Sequence, residues 1–179
     1  MESRQLEYVK APRPISANDD VSGFDCGVES LNSYLRHRAL KNDKNDISRC
    51  YVVDGSNGII GYYSLSAASI YHVSLTGRLR RNSPDPAPAI LLTRLAVDSS
   101  CQGMGLGWSL LQDATRRALA AADIIGARIF AVEALDDKAK QFYLRYDFVP
   151  SPTDPLHLIM LINDIRRTVG GSDPIELEQ

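Results

Sequence analysis

From position 91 the chain reads Leu91-Leu92-Thr93-Arg94-Leu95-Ala96-Val97-Asp98-Ser99-Ser100-Cys101-Gln102-Gly103-Met104-Gly105-Leu106-Gly107-Trp108-Ser109-Leu110-Leu111, and few architectures accommodate that order. It opens as an apolar run of strand length and breaks into a polar turn with glycine at every second position. From Leu106 it becomes a helix, because Leu106, Leu110, Leu111, Ala114 and Ala118 share one face while Gln112 and Arg116 turn away. A strand that feeds a glycine-rich loop into a helix start suits an anion. The first helical N–H groups have no intrahelical partner, and the helix dipole adds partial positive charge there. Gly103, Gly105 and Gly107 can take backbone angles closed to other residues and let an anion approach the main chain. The stretch lacks the Lys-Ser/Thr ending of a P-loop and the spacing of a dinucleotide fingerprint. On its glycines alone it equally suits a turn that needs glycine for geometry.

The remaining pattern supplies strands and helices around this unit. Residues 6–15 read as a first strand interrupted by Pro12 and Pro14. Phe24-Asp25-Cys26-Gly27 is a turn, and the spacing of Val28, Leu31, Leu35 and Ala39 predicts a helix over 28–40. Strands at 47–53 and 59–70 flank Asp54-Gly55-Ser56-Asn57-Gly58 and make a hairpin. Residues 71–88 read as a long irregular crossing that carries Arg78, Arg80 and Arg81. The central strand, 90–97, then leads into the glycine loop and a helix ending near 122. A strand at 128–134, a short helix at 136–146 capped by Asp136, and a last strand at 156–162 complete the order β-α-β-β-β-α-β-α-β. The fold expected is α/β, a mixed sheet with helices on its faces, in one domain over 1–165 with a polar acidic tail at 166–179.

Gln102-x-x-Gly105-x-Gly107 after Arg94-Leu95-Ala96-Val97-Asp98 resembles the acetyl-CoA loop of the GNAT superfamily of N-acetyltransferases. The resemblance covers about 6–162. It implies a central, mostly antiparallel sheet with a splayed parallel pair at the acetyl-CoA site. It also implies that Gln102, Gly103, Met104, Gly105, Leu106, Gly107 and Trp108 surround the diphosphate of CoA, with the backbone of Leu95, Ala96 and Val97 along the pantetheine arm. The Val97 N–H is where it puts an oxyanion contact. Asp136-x-x-Ala139-x-x-Phe142-Tyr143 resembles the family's Asn-x-x-Ala-x-x-x-Tyr helix, with Asp136 in place of Asn. By that match Asp136, Ala139 and Phe142 adjoin the cosubstrate and Tyr143 is the general acid on the CoA sulfur. A phenol with a pKa of about 10 is neutral at pH 7 and suited to protonating a thiolate. The residues alone also allow Tyr143 to be plain core, since it lies on an apolar stripe. Asp147 stands where the family has Gly just before Phe148.

No histidine or carboxylate pair announces a general base. Glu133, near a strand end, is a candidate and also an ordinary strand carboxylate; His37 reads as a surface residue. An acceptor α-amine, with a pKa of about 7.7–8.0, needs little help, unlike a lysine near 10.4.

Several separated motifs agree with a narrower group. Phe24-Asp25-Cys26-Gly27-Val28-Glu29-Ser30-Leu31, Tyr34-Leu35-x-x-x-Ala39, Gly61-Tyr62-Tyr63-Ser64-Leu65 and Pro150-Ser151-Pro152 are similar to the GNAT toxins of bacterial toxin–antitoxin pairs. That resemblance implies acetylation of the α-amine of aminoacyl-tRNA, translation inhibition, and restraint by a ribbon-helix-helix antitoxin. It further implies operator DNA bound only through the antitoxin complex, and a homodimer. The alternative within the family is a small-molecule amine or a protein N-terminus.

Charge is consistent with an RNA partner. The chain carries −2 overall, yet residues 36–94 hold nine Lys/Arg and four acids. Arg36, Arg38, Lys41 and Lys44 on the first helix and Arg78, Arg80 and Arg81 on the crossing are the candidate tRNA-phosphate contacts. Cations at a helix end also complement its dipole, which is the other reading of the first group. Cys26, Cys50 and Cys101 are too scattered for a disulfide framework or a zinc cluster, so no metal is expected. Cys101 beside the loop is either a reactive thiol or a small turn residue. No apolar run nears the ~18 residues of a membrane helix, and Met1-Glu2-Ser3-Arg4-Gln5 lacks a signal pattern, so a cytoplasmic protein is expected.

Overall fold

The computed structural model describes residues 9–170. The chain divides into two compact units: residues up to Ala67 with Leu91–Arg116, and Ala68–Ile90 with the residues from Arg117 on. Strands β3 (Gly58–Ile70) and β4 (Ala87–Val97) and helix α4 (Leu106–Ile125) pass from one into the other.

In the first unit, β1 (Arg13–Pro14), β2 (Arg49–Gly55), β3 and β4 lie side by side in that order. The β2–β3 hairpin closes Gly55 on Gly58, with a register shift between Val53 and Asp54. The first helix begins at Glu29 and runs to Lys44, as α1 (Glu29–Tyr34), a wide π-turn (Leu35–Ala39) and α2 (Leu40–Lys44). It outlasts the apolar pattern by a turn because Asp43 is tied to β2: its carboxylate accepts the Cys50 N–H at 2.9 Å and faces Arg49 at 3.7 Å. Phe24, Tyr34, Leu35, Ala39, Val52, Tyr62 and Ala96 pack in one core. Tyr62 donates to the Leu31 carbonyl at 2.8 Å.

In the second unit the start of β4 lies beside β5 (Ile129–Glu133), followed by β7 (His157–Leu161) and β6 (Val149–Pro150). The seven strands form a mixed sheet, mostly antiparallel with one parallel pair. Two elements here escape the sequence pattern. Residues 71–86 are irregular only in part: a 3₁₀ turn (His72–Ser74) and α3 (Gly77–Arg80) form within them, and Leu75 and Leu79 are buried. Past β7, α6 (Ile162–Gly170) buries Ile162 and Ile165, crossing the position where an acidic tail was expected to begin. Of the first strand, only Arg13–Pro14 is formed among the described residues; its expected beginning lies outside them.

Candidate active site

Strand β4 ends where the glycine loop begins. The Asp98 N–H donates to the Ile60 carbonyl at 2.8 Å, which fixes the exit from the strand. The Asp98 carboxylate then caps a 3₁₀ turn (Ser99–Cys101), accepting from the Ser100 N–H at 3.0 Å and the Ser100 hydroxyl at 2.6 Å, and from the Asp25 N–H at 3.0 Å. Burial opposes its charge, but these donors outweigh burial and hold Asp98 below the usual carboxylate range. Gln102 turns its side chain inward, donating to the Val97 carbonyl at 2.9 Å and the Cys26 carbonyl at 3.0 Å.

Beyond Gln102 the chain enters the glycine turn that opens α4. Gly103 and Gly105 sit at φ 77° and 85°, in the left-handed region that glycine enters without strain. Gly107 lies in the first turn of α4 and does not use that freedom. The Gly105 carbonyl accepts the first helical bond, from the Ser109 N–H at 3.1 Å. The N–H groups of Gly103 to Gly107 make no hydrogen bond to another described residue. A row of such donors at a helix start fits a diphosphate.

The helix supplying these donors is seated closely. Leu106, Leu110, Leu111, Ala114 and Ala118 are buried, with Gln112 and Arg116 exposed, as the periodicity predicts. At Gly61 of β3 an added Cβ would meet Leu110 Cδ1 at 3.1 Å and Leu106 at 3.4 Å. Leu95 and Val97 are half-buried, Ala96 is buried, Met104 is half-buried, and Trp108 is exposed.

The second unit holds the phenol. Helix α5 (Asp137–Leu144) starts where Asp136, at the position of Asn in the family pattern, accepts the Ala139 N–H at 2.8 Å and caps the helix. Tyr143 is buried, its ring edge-on to Phe142 at 5.1 Å and Phe148 at 5.8 Å. Burial pushes the phenol's pKa up, so it keeps its proton well past neutrality. Its hydroxyl makes no hydrogen bond to another described residue. Asp147, at the position of Gly in the family pattern, takes φ 67° in the left-handed region that Asp occasionally enters.

The basic candidates separate by their surroundings. Arg38, Lys41 and Lys44 in the first unit, and Arg80 and Arg81 in the second, are exposed and free of ion pairs with described residues. Arg36 donates to the Phe24 carbonyl at 2.6 Å and faces Glu29 at 3.8 Å. Arg78 forms a two-pronged pair with Asp164 at 2.9 and 2.6 Å. Glu133 and His37 are exposed, while Cys101 is half-buried. Cys50 is buried and its thiol pushed up to about 12 by that burial. Among the described residues no group of three or more His, Cys, Asp or Glu is placed to hold a metal ion, and no helix is long and apolar enough to cross a membrane. Sequence reasoning missed Asn32 altogether, since a buried amide on a helix carries no pattern of its own.

A strand, an amide loop opening a helix, and a capped helix carrying a buried tyrosine are the parts of an acetyltransferase. A sequence model of the acetyltransferase (GNAT) domain matches residues 46–150, and the chain belongs to the GNAT acetyltransferase family. It is 51% identical over 160 residues to a tRNA-acetylating toxin of Mycobacterium tuberculosis, covering 89% of this chain and 96% of that protein. A probable toxin TacT of Sinorhizobium fredii is 30% identical over 169 residues, covering 88% and 93%. Among solved structures, AtaT complexed with acetyl-methionyl-tRNAfMet superposes with a TM-score of 0.82 at 28% identity, covering 89% of this chain and 98% of AtaT. AtaT with acetyl-CoA and the antitoxin C-terminus matches at 0.76, with 27% identity over 89% and 97%. The AtaT–AtaR complex bound to DNA matches at 0.74, with 28% identity over 89% and 99%.

Proposed function

We propose that this chain is the toxin of a toxin–antitoxin pair, moving the acetyl group of acetyl-CoA onto the α-amine of aminoacyl-tRNA and so inhibiting translation. The observation that carries the donor half is the row of unpaired amides from Gly103 to Gly107, which suits the CoA diphosphate. The acceptor half is supported by the relatives, one described as tRNA-acetylating and one solved with acetyl-methionyl-tRNAfMet.

The chemistry assigns few tasks to the protein. An α-amine is partly neutral at physiological pH and attacks without a dedicated base. The Val97 N–H steadies charge on the carbonyl oxygen. Tyr143 donates its proton to the departing thiolate, since a phenol is protonated at neutral pH. Leu95, Ala96 and Val97 line the pantetheine arm, with Met104, Leu106 and Trp108 around the loop. Asp136, Ala139 and Phe142 hold the helix of the acid in place. Arg38, Lys41, Lys44, Arg80 and Arg81 contact tRNA phosphates. Arg36 and Arg78, whose guanidinium groups are engaged internally, shape those segments instead.

The partners follow the same reading: a ribbon-helix-helix antitoxin, operator DNA held through the antitoxin complex, a second copy of the chain as homodimer, and a cytoplasmic setting. The assay is transfer of labelled acetyl from acetyl-CoA to total charged tRNA, with a deacylated control. Label in charged tRNA alone is expected. Label in neither tRNA pool, with transfer to free amines or protein N-termini, would overturn the acceptor assignment.

A further inference from the structure

The turn at 24–27 holds none of the groups assigned above, yet the anion loop hangs from it. The Asp25 carbonyl accepts both the N–H and the hydroxyl of Ser99, each at 2.8 Å, while the Asp25 N–H donates to Asp98 at 3.0 Å. One residue on, the Cys26 carbonyl accepts from Gln102 at 3.0 Å. Both sides of the 3₁₀ turn leading to the amides are thus bonded to a segment more than seventy positions earlier.

That turn is itself locked from α1. The Asp25 carboxylate accepts the Gly27 N–H at 2.8 Å and the Asn32 side-chain N–H at 2.8 Å. The Asn32 carbonyl oxygen accepts the Cys26 N–H at 2.9 Å, and Asn32 is only 3% exposed. Gly27 takes φ 83°, and Arg36 donates to the Phe24 carbonyl at 2.6 Å. We propose that Asp25 and Asn32 are positioning residues for acetyl-CoA: they fix the 24–27 turn, which in turn fixes the amide row of the loop. The proposal rests on the acetyltransferase reading.

Removing the Asp25 carboxylate leaves the Gly27 N–H and the Asn32 amide without their acceptor and frees the turn. Donors that must be ordered on binding cost affinity that preordered donors do not. Nothing at Tyr143 changes, so the loss falls on binding and not on chemistry.

The test is Asp25→Ala, with acetyl-CoA affinity measured by calorimetry and acetyl transfer to charged tRNA followed at varied acetyl-CoA. Kd and KM for acetyl-CoA are expected to rise together by about tenfold, as for loss of an outer-shell partner, while kcat stays within about twofold. Asp25→Asn keeps an acceptor oxygen and is expected to restore most of the affinity. Ser99→Ala deletes one exposed donor to the same turn and is expected to raise Kd by about threefold; it decides the matter if Asp25→Ala fails to fold. An unchanged Kd in these variants, or a fall in kcat at constant KM, overturns the proposal. If the parent protein itself binds no acetyl-CoA, the acetyltransferase reading is what fails, and the proposal falls with it.

Discussion

Tyr143 is buried, and burial raises the pKa of its phenol, so the proton stays on the oxygen throughout the neutral range. Tyr143→Phe removes one oxygen from a well-packed ring, so folding and acetyl-CoA affinity should hold. Turnover should fall by about 10²–10⁴. Steady-state kinetics beside calorimetry check this, and unchanged turnover would remove Tyr143 from the chemistry. Because the phenol titrates above its ordinary range, the rate should rise through the pKa of the acceptor amine, about 7.7–8.0, with no alkaline fall near the usual tyrosine pKa of about 10. Asp98 gives a second pH handle. Its carboxylate is held below the ordinary range, so its contribution to stability is complete above that range. It is lost as pH falls through the lowered folded-state value. Asp98→Asn should therefore flatten the drop in urea midpoint between about pH 5 and pH 3 relative to the parent protein. An equally steep drop in both would show that Asp98 is not among the groups responsible.

The seating of α4 on β3 depends on Gly61, where the helix comes within contact of the strand backbone. Gly61→Val puts a branched side chain into Leu110 and Leu106 and should cost about 1–3 kcal/mol. It should also weaken acetyl-CoA binding, because the displaced turn carries the amide row. A thermal melt with a matched titration checks both, and a variant as stable as the parent would show slack that the packing does not display. Helix α4 was legible because its apolar period and its glycines describe the same object. Its end was not: the helix runs past the expected stop near 122 to Ile125, where Gly126 takes φ 79° and donates to the Ala122 carbonyl at 2.9 Å as a glycine cap. Helices α3 and α6 were not legible, each resting on two buried residues, Leu75 with Leu79 and Ile162 with Ile165. The π-turn at Leu35–Ala39 has no sequence mark, since the apolar spacing of Leu31, Leu35 and Ala39 reads as ordinary helix.

For the whole molecule, net charge is a poor guide to the partner: −2 conceals the excess of Lys and Arg between 36 and 94. The sequence showed where the cations are; only the fold shows which are engaged. Arg78 counts as a cation in the composition but grips Asp164, whereas Arg80 and Arg81 are exposed and unpaired among the described residues. Replacing Arg80 and Arg81 by Ala should weaken tRNA binding and reduce the slope of log affinity against log salt by about one per arginine. Arg78→Ala should leave that slope unchanged while lowering stability. Equal slopes for all three variants would place the RNA on another face. Although Gly107 lies inside the helix's first turn, the segment from strand through glycine loop to helix start was legible because its parts are contiguous. Its support from Asp25 and Asn32 was not, because it joins positions some seventy apart through side chains that form no local pattern.

The account rests on main-chain donors from Gly103 to Gly107 holding a diphosphate, and isothermal titration with acetyl-CoA tests that most directly. The folded protein should give a saturable one-site isotherm, competed by CoA and lost in Gly105→Val, where a branched residue is forced to φ 85°. A folded protein that shows no saturation, or a Gly105→Val variant that binds as tightly as the parent, would contradict it.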